Sequence, residues 1–308
     1  MKQIISFYRL PGLNHALKRC QFSWRTALFT LLAGVVTIVV TLVQPAHAYD
    51  VAIQPASPRQ GDTISILTTS QIGASERPTV TINGTPYPTF MVSDNRYRTF
   101  VPTSPLHTVG RYVIQVAGAD GTRNPAVWLS DRAFGTQRIT LPPGRDNLGT
   151  DYEFDQVSAF KQIISDEKYW SGPFLRPSQG RVSSEYGVRR YYNGVFAQDY
   201  YHRGVDYAAP MGAPVIAPAA GRVALVGQVS DGFELHGNTI GLDHGQGVAS
   251  IFIHLNSIDV QVGDFVEAGQ TIGTIGTTGA STGPHLHWGL YVNGVAVDPA
   301  PWRAASIE

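Results

Sequence analysis

Ser281-Thr282-Gly283-Pro284-His285-Leu286-His287-Trp288 stands near the end of the chain, and its His-x-His alternation reads as a strand. Along a β-strand, residues i, i+2 and i+4 line one face, so His285 and His287 point the same way. Upstream, His202-Arg203-Gly204-Val205-Asp206 puts His202 and Asp206 on one face if that segment is extended. Three of these four side chains can hold Zn²⁺ and leave one coordination position open, which is what separates catalytic from structural zinc.

The surrounding sequence is strand-like. From Trp170 onward it is rich in Gly and Pro, with short apolar segments at Pro214–Ala217, Gly221–Val226, Asn238–Leu242, Ser250–Ile253 and Gln270–Ile275. These predict a mostly antiparallel β domain over 170–308. Residues 49–141 carry a second set: Thr63–Leu67, Thr79–Ile82 before an Asn83-Gly84 turn, Tyr97–Val101, and Arg111–Val116. Short strands with frequent turn signals suggest an immunoglobulin-like β-sandwich there. Between them, 142–169 reads as a linker and a helix. Phe154, Val157, Phe160, Ile163 and Ile164 have near-helical spacing over 151–169, with Asp151 and Glu153 at the start. The expected class is mostly β.

The formal charge of zero over 308 residues hides an asymmetry. Residues 1–48 hold five basic side chains (Lys2, Arg9, Lys18, Arg19, Arg25) and no acidic one; the remainder is acidic on balance. No basic patch suited to nucleic acid stands out. Ala27 to Val43 is almost wholly apolar and ends at Pro45-Ala46-His47-Ala48. Basic, apolar and small-residue regions in that order form an export signal with cleavage after Ala48. Retention as a membrane anchor through residues 27–43 is the alternative, although 17 residues span only roughly 25 Å of a ~30 Å hydrocarbon core. Both readings export residues 49–308, to periplasm, cell wall or beyond.

Cys20 is the one cysteine. Residues 49–308 therefore have no disulfide framework, thiol nucleophile or thiolate ligand, and a metal site must use His, Asp and Glu. Six of the seven histidines beyond residue 48 fall between 202 and 287. His107 reads as an ordinary exposed side chain, and His236 and His244 as loop or strand-end residues. His244 could also orient a neighbour as an outer donor. His254 follows Ile251-Phe252-Ile253 at the end of an apolar strand, where a histidine alone is more often a core residue.

The segment Trp170 to Trp302 resembles the catalytic domain of the M23 zinc metallopeptidases, the lysostaphin- and LytM-like peptidoglycan endopeptidases. The resemblance rests on motifs in order. These are Ser184-Glu185-Tyr186-Gly187-Val188-Arg189; His202 to Pro210; Gly212-Ala213-Pro214-Val215; Gly221-Arg222-Val223; Asp243-His244-Gly245; Phe252-Ile253-His254-Leu255; Val262 to Val266 with Gly269-Gln270; and Ser281 to His287. It implies one Zn²⁺ per chain bound by His202, Asp206 and His287, with His254 and His285 flanking the attacking water. Phe252 stands where a tyrosine is often found. The implied substrate is the peptide of peptidoglycan, as stem or cross-link, and the implied activity is that of a zinc metalloendopeptidase in wall remodelling.

The residues around the motifs suggest a groove. Gly276, Gly279 and Gly283 could admit a substrate backbone closely or simply form tight turns. Arg189 to Asp199 could form a wall or lid, and Arg189 or Arg190 could meet a substrate carboxylate. A catalytically silent wall-binding protein that activates another hydrolase is the rival reading, but such relatives typically lack ligands or catalytic histidines, and all five positions are filled here. The Val262–Gln270 hairpin also resembles a lipoyl or biotinyl carrier. Beyond residue 48 the lysines are Lys161 and Lys168, so the attachment lysine is missing.

Overall fold

The computed structural model describes residues 49–72, 76–140 and 148–307. The apolar run 27–43 and the cleavage site lie outside them. Among the described residues no helix is long and apolar enough to cross a membrane.

The structure is mostly β. The first strands are β1 (Tyr49–Gln54), β2 (Thr63–Ser70), β3 (Thr79–Ile82), β4 (Thr85–Tyr87) and β5 (Thr89–Ser93). They are followed by β6 (Arg96–Pro102), β7 (Gly110–Gly118), β8 (Gly121–Arg123), β9 (Ala126–Leu129) and β10 (Thr136–Ile139). One antiparallel sheet runs β1-β2-β6-β5; a second runs β4-β3-β7-β8, with β9 also on β7. Alternate residues of both sheets, among them Ile64, Ile66, Val80, Ile114 and Val116, share one buried cluster. Asn83 and Gly84 turn the β3–β4 hairpin with positive φ at both positions, the demand of a type I′ turn.

Helix α1 covers Asp151–Lys161 and stops well short of the expected 169. Its buried face is Glu153, Val157 and Phe160, while Phe154 and Ile164 are exposed. The helix ends because the next residues find other partners. The Gln246 amide donates to Ser165 O, Ser165 Oγ donates to Asp243, and Lys168 bridges Gly245.

The remaining strands are β11 (Arg181–Ser184), β12 (Arg189–Tyr192), β13 (Val195–Phe196), β14 (Val205–Ala208), β15 (Pro214–Ile216) and β16 (Gly221–Gly227). Then come β17 (Asn238–Gly245), β18 (Val248–Ile258), β19 (Phe265–Val266), β20 (Thr271–Ile275), β21 (His285–Val292) and β22 (Val295–Val297), with helix α2 at Pro299–Ala304. Their main sheet has the order β11-β14-β21-β18-β17-β16-β19, with β20, β15 and β22 paired off it. One face of β21 (Leu286, Trp288, Leu290, Val292) is fully buried. The opposite face therefore presents His285, His287 and Tyr291.

Upstream sheets and main sheet share contacts. Phe100 packs with Trp170 and Trp302, Trp302 Nε1 donates to Thr63 Oγ1, and Arg132 pairs with Asp298 at 2.7 Å. Strand β10 pairs in parallel with β12, so the chain leaving the upstream sheets supplies an edge to the 189–196 hairpin.

Candidate active site

The five residues singled out from the sequence converge. Asp206 on β14 and His287 on β21 are directly opposed in the antiparallel ladder, where side chains come closest. His202 lies before β14, since the ladder begins only at Val205. The expected extended 202–206 segment thus bends at Gly204. A Cβ there would overlap Trp288 O and meet His287 Nε2 at 2.8 Å, so the close approach requires glycine. His202 is held by its amide on Val188 O and its carbonyl on the Gly187 amide.

His202 Nε2, Asp206 Oδ1 and His287 Nδ1 form a tight triangle of 3.0, 2.8 and 3.0 Å. The bonding assigns the His202 tautomer: Nδ1–H donates to Glu185 O at 2.8 Å, leaving a lone pair on Nε2. That lone pair faces a carboxylate oxygen, which is an acceptor only. Two acceptors 3.0 Å apart call for a cation between them, and two imidazoles with a carboxylate are a donor set that suits zinc. Burial would raise the Asp206 carboxyl, but the imidazoles of His202 and His287 set against it outweigh burial and hold it well below the usual carboxylate range. Burial pushes His287 down to about 4 against the pull of Asp206.

His254 and His285 flank this triangle, their rings 4.8 Å apart. His285 Nδ1 donates to Gly283 O and His254 Nδ1 to Thr278 O, both at 2.8 Å. Each therefore carries its lone pair on Nε2, and His285 Nε2 lies 4.0 Å from Asp206 Oδ1. Burial first, then the neighbouring His285 and His287, pushes His254 down to about 3. Strand β18 does not end at His254 but runs on to Ile258. His254 has φ +65, and there β18 passes from pairing with β21 to pairing with β20. Such an irregularity re-aims a side chain, and a left-handed non-glycine backbone costs about 1–3 kcal/mol, which the surroundings must supply.

The triangle opens into a cleft of about 940 Å³. One wall is the β12–β13 hairpin, contributing Arg190, Tyr192 and Val195. The two arginines of this segment divide: Arg190 Nη2 is 3.8 Å from Asp206 Oδ2, while Arg189 donates to Tyr200 O and Gln198 O within its own loop. Of the three glycines, Gly283 lines the cleft with open space where a Cβ would be; Gly276 and Gly279 are packed against neighbouring backbone.

The other histidines are structural in their contacts. His244 is fully buried, donating to Ala220 O and bonded to Ser250 Oγ, which also accepts from Trp288 Nε1. It does not reach the triangle's ring atoms. His107 is half-buried rather than exposed, because its ring caps the turn through Ser104. His236 bonds Glu153, and its carbonyl receives the His254 amide. Sequence reasoning left Glu153 as a helix-start residue, although Thr150-x-x-Glu153 is the signature of a capping box.

Residues 200–299 match the model of peptidase family M23. The chain is 35% identical over 167 residues to the peptidoglycan DD-endopeptidase ShyC of Vibrio cholerae, covering 51% of this chain and 37% of that one. The chain belongs to peptidase family M23. This M23 chain is also 42% identical over 106 residues to lysostaphin of Staphylococcus simulans, covering 33% of its own length and 21% of the relative's. A Pseudomonas aeruginosa protein solved as a candidate M23 peptidase superposes with a TM-score of 0.59 at 26% identity, over 81% of this chain and 95% of that one. The M23 chain thus spans well under half the length of the two curated relatives named.

Proposed function

We propose that the M23 part, residues 170–308, is a zinc metalloendopeptidase acting on the stem or cross-link peptides of peptidoglycan. The observation that carries this reading is the close triangle of His202, Asp206 and His287 beside two imidazoles with open Nε2 atoms. The family and the peptidoglycan-cleaving relatives support it.

In this reading His202 Nε2, Asp206 Oδ1 and His287 Nδ1 hold one Zn²⁺. When bound, the ion supplies a Lewis acid that activates water and polarises the scissile carbonyl. His285 Nε2 accepts a proton from the attacking water and returns it to the leaving amine, oriented throughout by its Nδ1–H on Gly283 O. His254, fixed by Thr278 O and by its backbone bond to His236, supports the charge that develops opposite it. Arg190, braced by Gln137 and held at Asp206 Oδ2, adds positive charge at the rim.

We read the two upstream sheets (49–141) as an immunoglobulin-like sandwich and 142–169 as its linker and helix. Export through residues 1–48, by cleavage or anchoring, fits a wall substrate. The silent-activator reading is not favoured, since no site residue is missing. Purified wall incubated with the protein should release peptides, identified by mass spectrometry with the bond cleaved. A chelator should stop release and added Zn²⁺ restore it. Release undiminished by chelation would refute the metal mechanism.

A further inference from the structure

We propose that Lys161, Arg203 and Tyr291 form a subsite that binds a carboxylate of the substrate peptide, several residues from the bond cleaved. The inference rests on the peptidase reading above and adds a specificity determinant to it.

Among the described residues lining the cleft, Asp206 is the single acidic side chain, against Lys161, Arg190 and Arg203. Asp206 is committed to His202 and His287, and Arg190 sits against its second oxygen. The other two cations are left with rings. Lys161 Nζ lies 5.0 Å from the Tyr291 ring centroid, and Arg203 Cζ lies 5.6 and 6.0 Å from those of Tyr200 and Tyr201. Burial, then the Arg203 charge, pushes the Lys161 ammonium down to about 8. Two like charges lining one cleft without an acidic side chain of their own favour an anion between them.

Geometry then places the anion. Tyr291 follows His287 by four residues on the same face of β21, which is about 13 Å along the strand. That is the reach of about four residues of extended peptide. Ile251 and Ile253 of β18, opposite Gly289 and His287, line the path between. A peptide held at the triangle and running along the sheet would bring a carboxylate, terminal or side-chain, to Lys161 and Arg203. Lys161 ends α1, so the helix outside the family match supplies this contact. A cation there also suits the helix dipole, so the test must separate recognition from helix stabilisation.

The probes are cross-linked peptides released from purified wall, used as prepared and after carbodiimide-driven amidation of their carboxylates. The wild-type protein should prefer the free acids by about ten-fold in KM, the scale of one charge-assisted hydrogen bond. Lys161→Met keeps the apolar stem over Tyr291 and should erase the preference, while Lys161→Arg should keep most of it. A purely structural lysine would instead change both pools alike. Binding of the two pools, followed by intrinsic fluorescence, needs no turnover. A binding preference without hydrolysis of either pool would sink the peptidase reading and leave the subsite standing. Equal binding of both pools by wild type, or equal loss for both in Lys161→Met, would overturn the subsite.

Discussion

Glu153 Oε2 lies 3.1 Å from His236 Nδ1 although 83 residues separate them. The same fully buried carboxylate accepts from the backbone of Thr150, Leu235 and His236. His236 O in turn receives the amide of His254, whose backbone is left-handed. A helix cap thus doubles as the support for the loop behind a candidate catalytic imidazole. Glu153→Ala strands several part-buried donors and removes half of a capping box. It should cost about 2–4 kcal/mol in urea unfolding and lower kcat more than KM. Glu153→Gln, which keeps an acceptor oxygen, should lose less of both.

Gly204 makes a sharper prediction. Its missing Cβ leaves room for Trp288 O and the His287 ring, which an added Cβ would meet within 3 Å. Gly204→Ala must push the strands apart at the Asp206–His287 pair. Bound zinc, measured by plasma emission after dialysis, should fall well below one per chain, with a stability loss of about 1–3 kcal/mol. A variant that folds normally and retains full metal would contradict the proposed geometry.

Stability should fall with acid through His244. Burial lowers this histidine from 6.5 to about 4, so below pH 6.5 the unfolded chain binds a proton that the folded chain refuses until about pH 4. The contribution is complete above pH 6.5 and is lost as pH falls towards 4, at most about 3 kcal/mol. His254 and His287 shift in the same direction and add to the slope in metal-free protein. His244→Gln, in urea melts from pH 4 to 7 with chelator, should therefore have a shallower slope. An unchanged slope would show that His244 does not contribute.

Ser250 joins Trp288 Nε1 to His244 Nε2 inside the core. Ser250→Ala leaves a buried indole N–H without its acceptor and should cost about 1–3 kcal/mol. Because Trp288 faces away from the cleft, KM for wall peptides should be nearly unchanged.

The strands were legible because alternation is a short-range rule, whereas the grouping of the candidate site residues came from the ordered motifs shared with a family. Alternation places His285 and His287 on one face, and ladder pairing then sets Asp206 opposite His287. The helix was misjudged at its far end, since Ile163 and Ile164 continued the apolar spacing while tertiary contacts of Ser165 and Lys168 took over the backbone. Its buried face includes Glu153 and leaves Phe154 outside, because the carboxylate finds its donors on a distant loop. The turn of β18 at His254 and the β10–β12 pairing depend on long-range register, which local pattern does not encode.

The central claim is that neighbouring histidines on β21 do different work, His287 holding metal and His285 moving a proton. Zinc content and wall-peptide release, measured together for His285→Ala, His287→Ala and wild type, test it most directly. The account predicts one zinc and normal turnover for wild type, one zinc with a loss of at least about 100-fold for His285→Ala, and loss of both for His287→Ala. Release at the wild-type rate by His285→Ala, or full zinc in His287→Ala, would contradict it.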